Sequence, residues 1–233
     1  LFNELKGGLR AGYVTHNYRD VFIYILLHGR ALMNTLILIV GTIGTHLIVN
    51  PFAAFALSRY QLAYTNKILL FCLATMAFPY EVALIPNFLF LKETGLLNTF
   101  GALILPHMAN GYSIFLLKGF FDSLPKELYE SAAMEGASEF RMFRQITIPL
   151  SKPILAVIAL NSFQNAYGSF IWAFVVCPKQ EMWTLMVWLY DLNGWAPYSM
   201  CVAALCVAAL PTLLLFVFAQ KIIMRGIVLP LAH

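Results

Sequence analysis

Charge is what this 233-residue chain has least of: Asp, Glu, Lys and Arg make up 11% of it, against 61% hydrophobic residues. A soluble domain carries about 25% charged residues to cover its surface, so a water-soluble globule is excluded. The four cysteines, Cys72, Cys177, Cys201 and Cys206, form no C-x-x-C pair. They read as small buried hydrophobes rather than a redox or metal motif. No Gly-Lys dipeptide occurs, so there is no G-x-x-x-x-G-K-[ST] loop to grip phosphate. Also missing are an H-E-x-x-H zinc site, an aspartyl pair and a nucleophile with its base, which leaves no basis for an intramembrane enzyme.

Long apolar runs are what the chain does contain. Five segments, Ala31–Ser58, Ile68–Leu91, Thr94–Leu117, Pro153–Pro178 and Leu192–Gln220, reach the length needed to cross a hydrocarbon core, about 20 residues of helix. Four hold no charged residue, and the second holds only Glu81. Barrel strands would be about 10 residues long and polar at alternate positions, so the expected fold is all-α: a polytopic helical membrane protein with five transmembrane helices. Basic residues sort by side. Arg59 and Lys67 follow the first span; Lys118, Lys126, Arg141, Arg144 and Lys152 follow the third; Lys221 and Arg225 follow the last. The opposite loops hold only Lys92 and Lys179. Positive residues mark the cytoplasmic face, which puts the 121–150 connection and the C-terminus inside. Residues 1–30 then lie outside despite Lys6, Arg10, Arg19 and Arg30, 31–226 form the membrane domain, and 227–233 form a tail. Trp183, Trp188, Tyr190 and Trp195 are expected to lie at the outer surface as an interfacial belt.

The 121–150 connection concentrates the missing charge in "ELYESAAMEGASEFRMFRQITIPLSKP", from Glu127 to Pro153. Asp122 or Ser123 can cap a helix with Pro125 in its first turn, and Leu124, Leu128 and Ala132 mark its apolar stripe. Gly136 can take the positive φ that ends it. Ser138 can cap a second short helix on which Phe140, Phe143 and Ile146 share a face; Pro149 is expected to stop it and Pro153 to open the next span. By physics alone these two amphipathic helices fit either an interfacial hairpin on lipid headgroups or a docking element for a soluble partner.

The spacing of Glu130, Ala132, Gly136, Ile146 and Pro149 resembles the E-A-A-x-x-x-G, nine residues, I-x-L-P signature of permease subunits of ATP-binding-cassette importers. Ser131 and Ile148 are mild departures, and Glu135 fills the acidic place before the glycine that sugar-importing members usually carry. With "NTLILI" and "FAAFALSRY" in the first span, Ile85-Pro86, "GLLNT" at Gly95–Thr99 and "LPKEL" before the motif, the likeness extends from Asn17 to about Gly226 and points to carbohydrate-uptake permeases of the maltose-permease type. Such subunits usually have six spans, so the resemblance implies a first helix ahead of this region, in keeping with a chain that starts at Leu1. It also implies a second, similar permease, two cytoplasmic ATPases, an external solute-binding protein, surrounding lipid and a bacterial inner membrane. No nucleic acid is implied, and no cofactor or metal is expected in this chain, ATP and Mg belonging to the ATPases. Coupling residues would be Glu130, Ser131, Ala132, Glu135, Gly136, Ala137, Phe140, Phe143, Ile146 and Pro149. The ending "RGIVLPLAH" departs from the family's usual one.

Polar residues inside spans usually face a bundle interior or cavity. In the fourth span Asn161, Gln164, Asn165 and Gly168 recur at i, i+3, i+4 and i+7, flanked by Tyr167 and Phe170. Amides beside aromatic faces suit a sugar, although helix-to-helix hydrogen bonding would use the same residues. Glu81, between Pro79 and Pro86, is either a polar group at a gate or cavity or a cap for amides freed by a kink. Thr42 with His46 and His107 with Asn110 are further intramembrane pairs that line or pack rather than bind metal. A transporter or channel working without an ATPase would call for inverted repeats or several intramembrane charges. An importer of another solute, such as glycerol phosphate, a peptide or a polyamine, stays open, and spans without Lys or Arg lean towards neutral solutes.

Overall fold

A computed structural model describes residues 18–23, 29–60 and 63–227 of the chain. The expectations for most of the N-terminal segment and for the tail fall outside the described residues. Among the latter all regular structure is helical. The first long helix, α1, runs Arg30–Arg59, and the last, here α11, runs Tyr198–Ile227. Both cross-membrane candidates are unbroken, and three bent helix pairs bring the number of spans to as many as five.

The broken spans follow from local chemistry. The second is split into α2, Thr65–Ala77, and α3, Tyr80–Glu93, because Phe78 precedes a proline and is pushed to an extended conformation, with ψ at 124°. The third is split into α4, Phe100–Ile104 followed by a tight turn Leu105–His107, and α5, Gly111–Asp122, which meet at 48°. Thr99 and Asn110 cap these two helices, accepting from the N–H groups of Ala102 and Ser113. At Gly111 a Cβ would stand 2.6 Å from the Cys72 carbonyl oxygen, so only glycine lets α5 come this close to α2.

The connector holds α6, Lys126–Met134, and α7, Glu139–Leu150, the latter at 80° to α8, Lys152–Tyr167. Gly136 has φ +79°, Ser138 caps α7 by accepting from Arg141 N–H, and Pro153 lies in the first turn of α8, all as expected. Two details differ. Asp122 and Ser123 do not cap α6, which starts directly after Pro125 with no side-chain cap; Asp122 instead pairs with Lys118 and accepts from Ser58, while Ser123 donates to the Phe120 carbonyl. Pro149 does not end α7 either. A wide turn over Phe143–Thr147, in which Ile148 N–H reaches back to the Phe143 carbonyl, precedes the proline, and the helix runs on to Leu150.

The fourth predicted span is likewise interrupted after Tyr167, resuming as α9, Ile171–Val176. The fifth starts at Tyr198, because Ala196 precedes Pro197 and is extended, with ψ at 155°. Leu192 belongs instead to α10, Leu185–Trp195. That helix is no surface-lying loop: Trp188 is buried with Leu185, Val187, Leu189 and Leu192, leaving Tyr190 and Trp195 exposed. The reason is tertiary, since Asn34 donates to the carbonyls of Glu181 and Trp183 while Thr35 accepts from Leu185 N–H, strapping the segment onto α1.

α1 is the central post, packed on α5 and α8. Two apolar clusters surround it. One, at the α10 end, includes Leu38, Leu103, Trp172, Trp188 and Ala204; the other, at the connector end, includes Phe55, Leu117, Phe121, Tyr129, Phe143 and Ile158. Between them lies a layer of buried polar side chains: His46, Asn50 and Ser162.

Candidate functional site

Buried polar groups are costly unless hydrogen-bonded, and the polar layer shows how each is satisfied. His46 Nε2 donates to the carbonyl of His107 at 2.7 Å, and Ser162 Oγ lies 2.7 Å from both His46 Nδ1 and the Ile158 carbonyl. Asn50, with no solvent exposure, accepts from Asn110 N–H at 2.9 Å and donates to the His46 carbonyl. These bonds tie α1 to α8 and to the gap between the Leu105–His107 turn and α5, where chain polarity would otherwise be unmet. Thr42, His46, His107 and Asn110, two separate pairs in the sequence, thus form one constellation.

Beside this layer opens a cleft of about 540 Å³ lined by Thr42, His46, His107, Asn165, Phe170 and Trp172 among others, with no Asp, Glu, Lys or Arg among the described residues of its wall. His107 and Trp172 meet edge to face at 5.2 Å, and the Trp172 indole N–H donates to the Ala102 carbonyl, which fixes that wall. Of the residues singled out in the sequence, the cleft gathers Thr42, His46, His107, Asn110, Asn165, Gly168 and Phe170. It does not gather Asn161, which is half-buried on α8, Gln164, which is exposed, or Glu81, exposed in the first turn of α3. Tyr167 is turned the other way: its hydroxyl donates to the Ala208 carbonyl on α11 and its ring stacks on Phe163. Trp172, Asn50 and Ser162 went unremarked in the sequence; an intramembrane Asn-Pro at Asn50-Pro51 was a usable signal for one of them.

The second feature is the connector. Glu130, Ser131, Glu135, Gly136, Phe140 and Pro149 are exposed, Ala132, Ala137 and Ile146 half-buried, and Phe143 buried. Phe143 stacks on Phe52 at 4.5 Å and meets Phe55 edge to face at 5.2 Å, which docks α7 on α1. Only Tyr129 of α6 is buried. Its hydroxyl lies 2.8 Å from Thr147 Oγ1, and the Arg59 guanidinium carbon sits 3.2 Å from its ring centroid. Met134, at the far end of α6, is 91% exposed.

A bundle of broken apolar helices around an uncharged polar cleft, with a charged elbow fixed across one end, is the build of a membrane transport component. The chain belongs to the family of binding-protein-dependent transport system inner membrane components, whose model matches residues 50–228. It is 32% identical to the galactooligosaccharides transport system permease protein GanQ of Bacillus subtilis, over 84% of this chain and 71% of that protein. It is 29% identical to the diacetylchitobiose uptake system permease protein NgcG of Streptomyces coelicolor, over 83% of this chain and 66% of the relative, so it spans only part of these relatives' length. A 27% match to the sn-glycerol-3-phosphate transport system permease protein UgpE of Brucella abortus covers 85% of this chain and 72% of that one. In three dimensions it is similar to a chain from the crystal structure of a bacterial ABC transporter involved in the import of the acidic polysaccharide alginate, with a TM-score of 0.76 and 25% identity over 88% of this chain and 78% of the other.

Proposed function

We infer that this chain supplies half of the membrane path of an importer for a sugar or oligosaccharide, powered by separate ATPase subunits that grip the Lys126–Leu150 connector. The observation that carries the reading is the connector itself: an acidic, largely exposed short helix, turned by a left-handed Gly136 and held rigidly to the bundle through Tyr129 and Phe143. A lone interfacial hairpin has no need of such fixed attachment; a handle for an external motor does. Hydrolysis of ATP would take place on the partner subunits. A second permease would complete the path, and an external binding protein would deliver solute at the α10 end, with the connector and C-terminus on the cytoplasmic side. The uncharged cleft, with Asn165 amide and Phe170 and Trp172 rings, suits hydroxyl pairs and C–H faces of a neutral saccharide. Two relatives bearing saccharide names agree with that choice; for glycerol phosphate a cationic lining would be expected.

The test uses the complex reconstituted in vesicles with its binding protein. Glu130→Ala and Gly136→Val should insert normally and abolish solute-stimulated ATP hydrolysis. Full stimulation in both variants would refute the docking role of the connector.

A further inference from the structure

We propose that the Arg59–Tyr129 stack is the rigid joint that passes movement of α6 into α1, and through α1 to the cleft. The proposal rests on the reading of the connector as the motor's handle and adds which side chains make the handle transmit.

Three observations converge on it. First, Tyr129 is the one residue of α6 buried in the bundle, at 6% exposure, so any push on α6 is delivered chiefly through this side chain. Second, Tyr129 is held on two sides. The Arg59 guanidinium covers its ring at 3.2 Å, and its hydroxyl meets the fully buried Thr147 in the wide turn of α7. A cation over an aromatic face is strongest where water is excluded. Arg59 Nε and Nη2 are buried and find no hydrogen-bond acceptor among the described residues, so the ring is their principal partner. Third, Arg59 is the last residue of α1, and Thr42 and His46 on the same helix line the cleft. At 1.5 Å per residue, His46 lies about 20 Å from Arg59 along the axis. Ser58, one residue earlier, also bonds Asp122 at the end of α5, so the joint engages both helices that enter the connector end. Arg59 and Tyr129 are therefore positioning residues, acting on solute only through α1.

The experiment measures solute transported per ATP hydrolysed in the reconstituted complex, with Glu130→Ala run alongside. Arg59→Met and Tyr129→Leu should each lower that ratio about tenfold, and the double variant should be no worse than either single, as for two halves of one contact. Tyr129→Phe, which keeps the ring and loses only the hydroxyl, should recover the ratio to within about threefold, and Arg59→Lys should recover part of it. A normal ratio in both single variants overturns the proposal. So does loss of the ATPase subunits from the purified Tyr129→Leu complex, since the stack would then hold the docking site rather than transmit from it. So do additive losses in the double variant. A Glu130→Ala complex that stays fully coupled speaks instead against the handle reading itself.

Discussion

At the residue scale the polar layer is the feature with the sharpest consequences. Asn50 has no solvent exposure and serves α5 by accepting from Asn110 N–H. Asn50→Leu strands that N–H, and a buried unpaired donor costs about 1–3 kcal/mol. The purified complex should therefore melt at a lower temperature, while Asn50→Asp, which keeps an acceptor, should lose less only where the acid is protonated. The cleft side chains behave differently. Asn165 is exposed on the cleft wall, so Asn165→Ala should raise the KM for uptake several-fold with little change in melting temperature. Phe170 lines the cleft but also packs on Phe174 and Tyr190, so Phe170→Ala should raise the KM with a melting loss smaller than that of Asn50→Leu. A melting loss as large as that of Asn50→Leu would reassign them to packing. Sequence reasoning found Asn165, Phe170 and His107 because polar and aromatic side chains in an apolar run stand out. It could not tell them from Gln164 or Tyr167, because one helix face spans more than one neighbour: Tyr167 is claimed by the Ala208 carbonyl and Gln164 by none of the cleft walls.

Among elements, the breaks matter more than the helices. Gly111 allows α5 to meet α2 where a Cβ would stand 2.6 Å from a backbone oxygen, an atom that cannot step aside as a flexible side-chain end can. Gly111→Val should cost about 1–3 kcal/mol by forcing the two helices apart. The loss should be visible as earlier unfolding in detergent and faster proteolysis between α1 and α2. Gly136 is the contrasting case. Nothing lies within 4 Å of its missing Cβ, yet its φ of +79° is strained for any other residue, by about 1–2 kcal/mol. Gly136→Ala should therefore disturb the angle between α6 and α7 and weaken coupling while leaving the bundle's melting temperature almost unchanged. Both glycines are visible in the sequence, but only Gly136 explains itself there, as the end of a short helix. The need for Gly111 arises from Cys72, nearly forty residues away.

For the molecule as a whole, one end carries the connector with Arg59, Lys118 and Lys126, and the other carries Arg30, Glu181 and the strapped segment before α10. The expected orientation puts the first end in the cytoplasm. In a variant without its four native cysteines, Glu181→Cys should react with an impermeant maleimide added outside intact cells, and Ser123→Cys only after the membrane is opened. The reverse pattern would invert the topology. What the amino-acid order determined unaided was the all-helical class, a set of up to five crossings, the elbow with its Gly136 turn and Ser138 cap, and the kink beside Pro79. Each follows from run length, a capping side chain or a fixed φ within a few residues. The tertiary structure alone decided which polar groups meet in the layer, that Trp188 is core rather than surface, and that Arg59 lies on Tyr129. Those contacts join residues tens of positions apart, and they depend on how each helix is rotated and where each broken span bends. Such choices are made by the packing of all the helices against α1 together, and no single segment contains them.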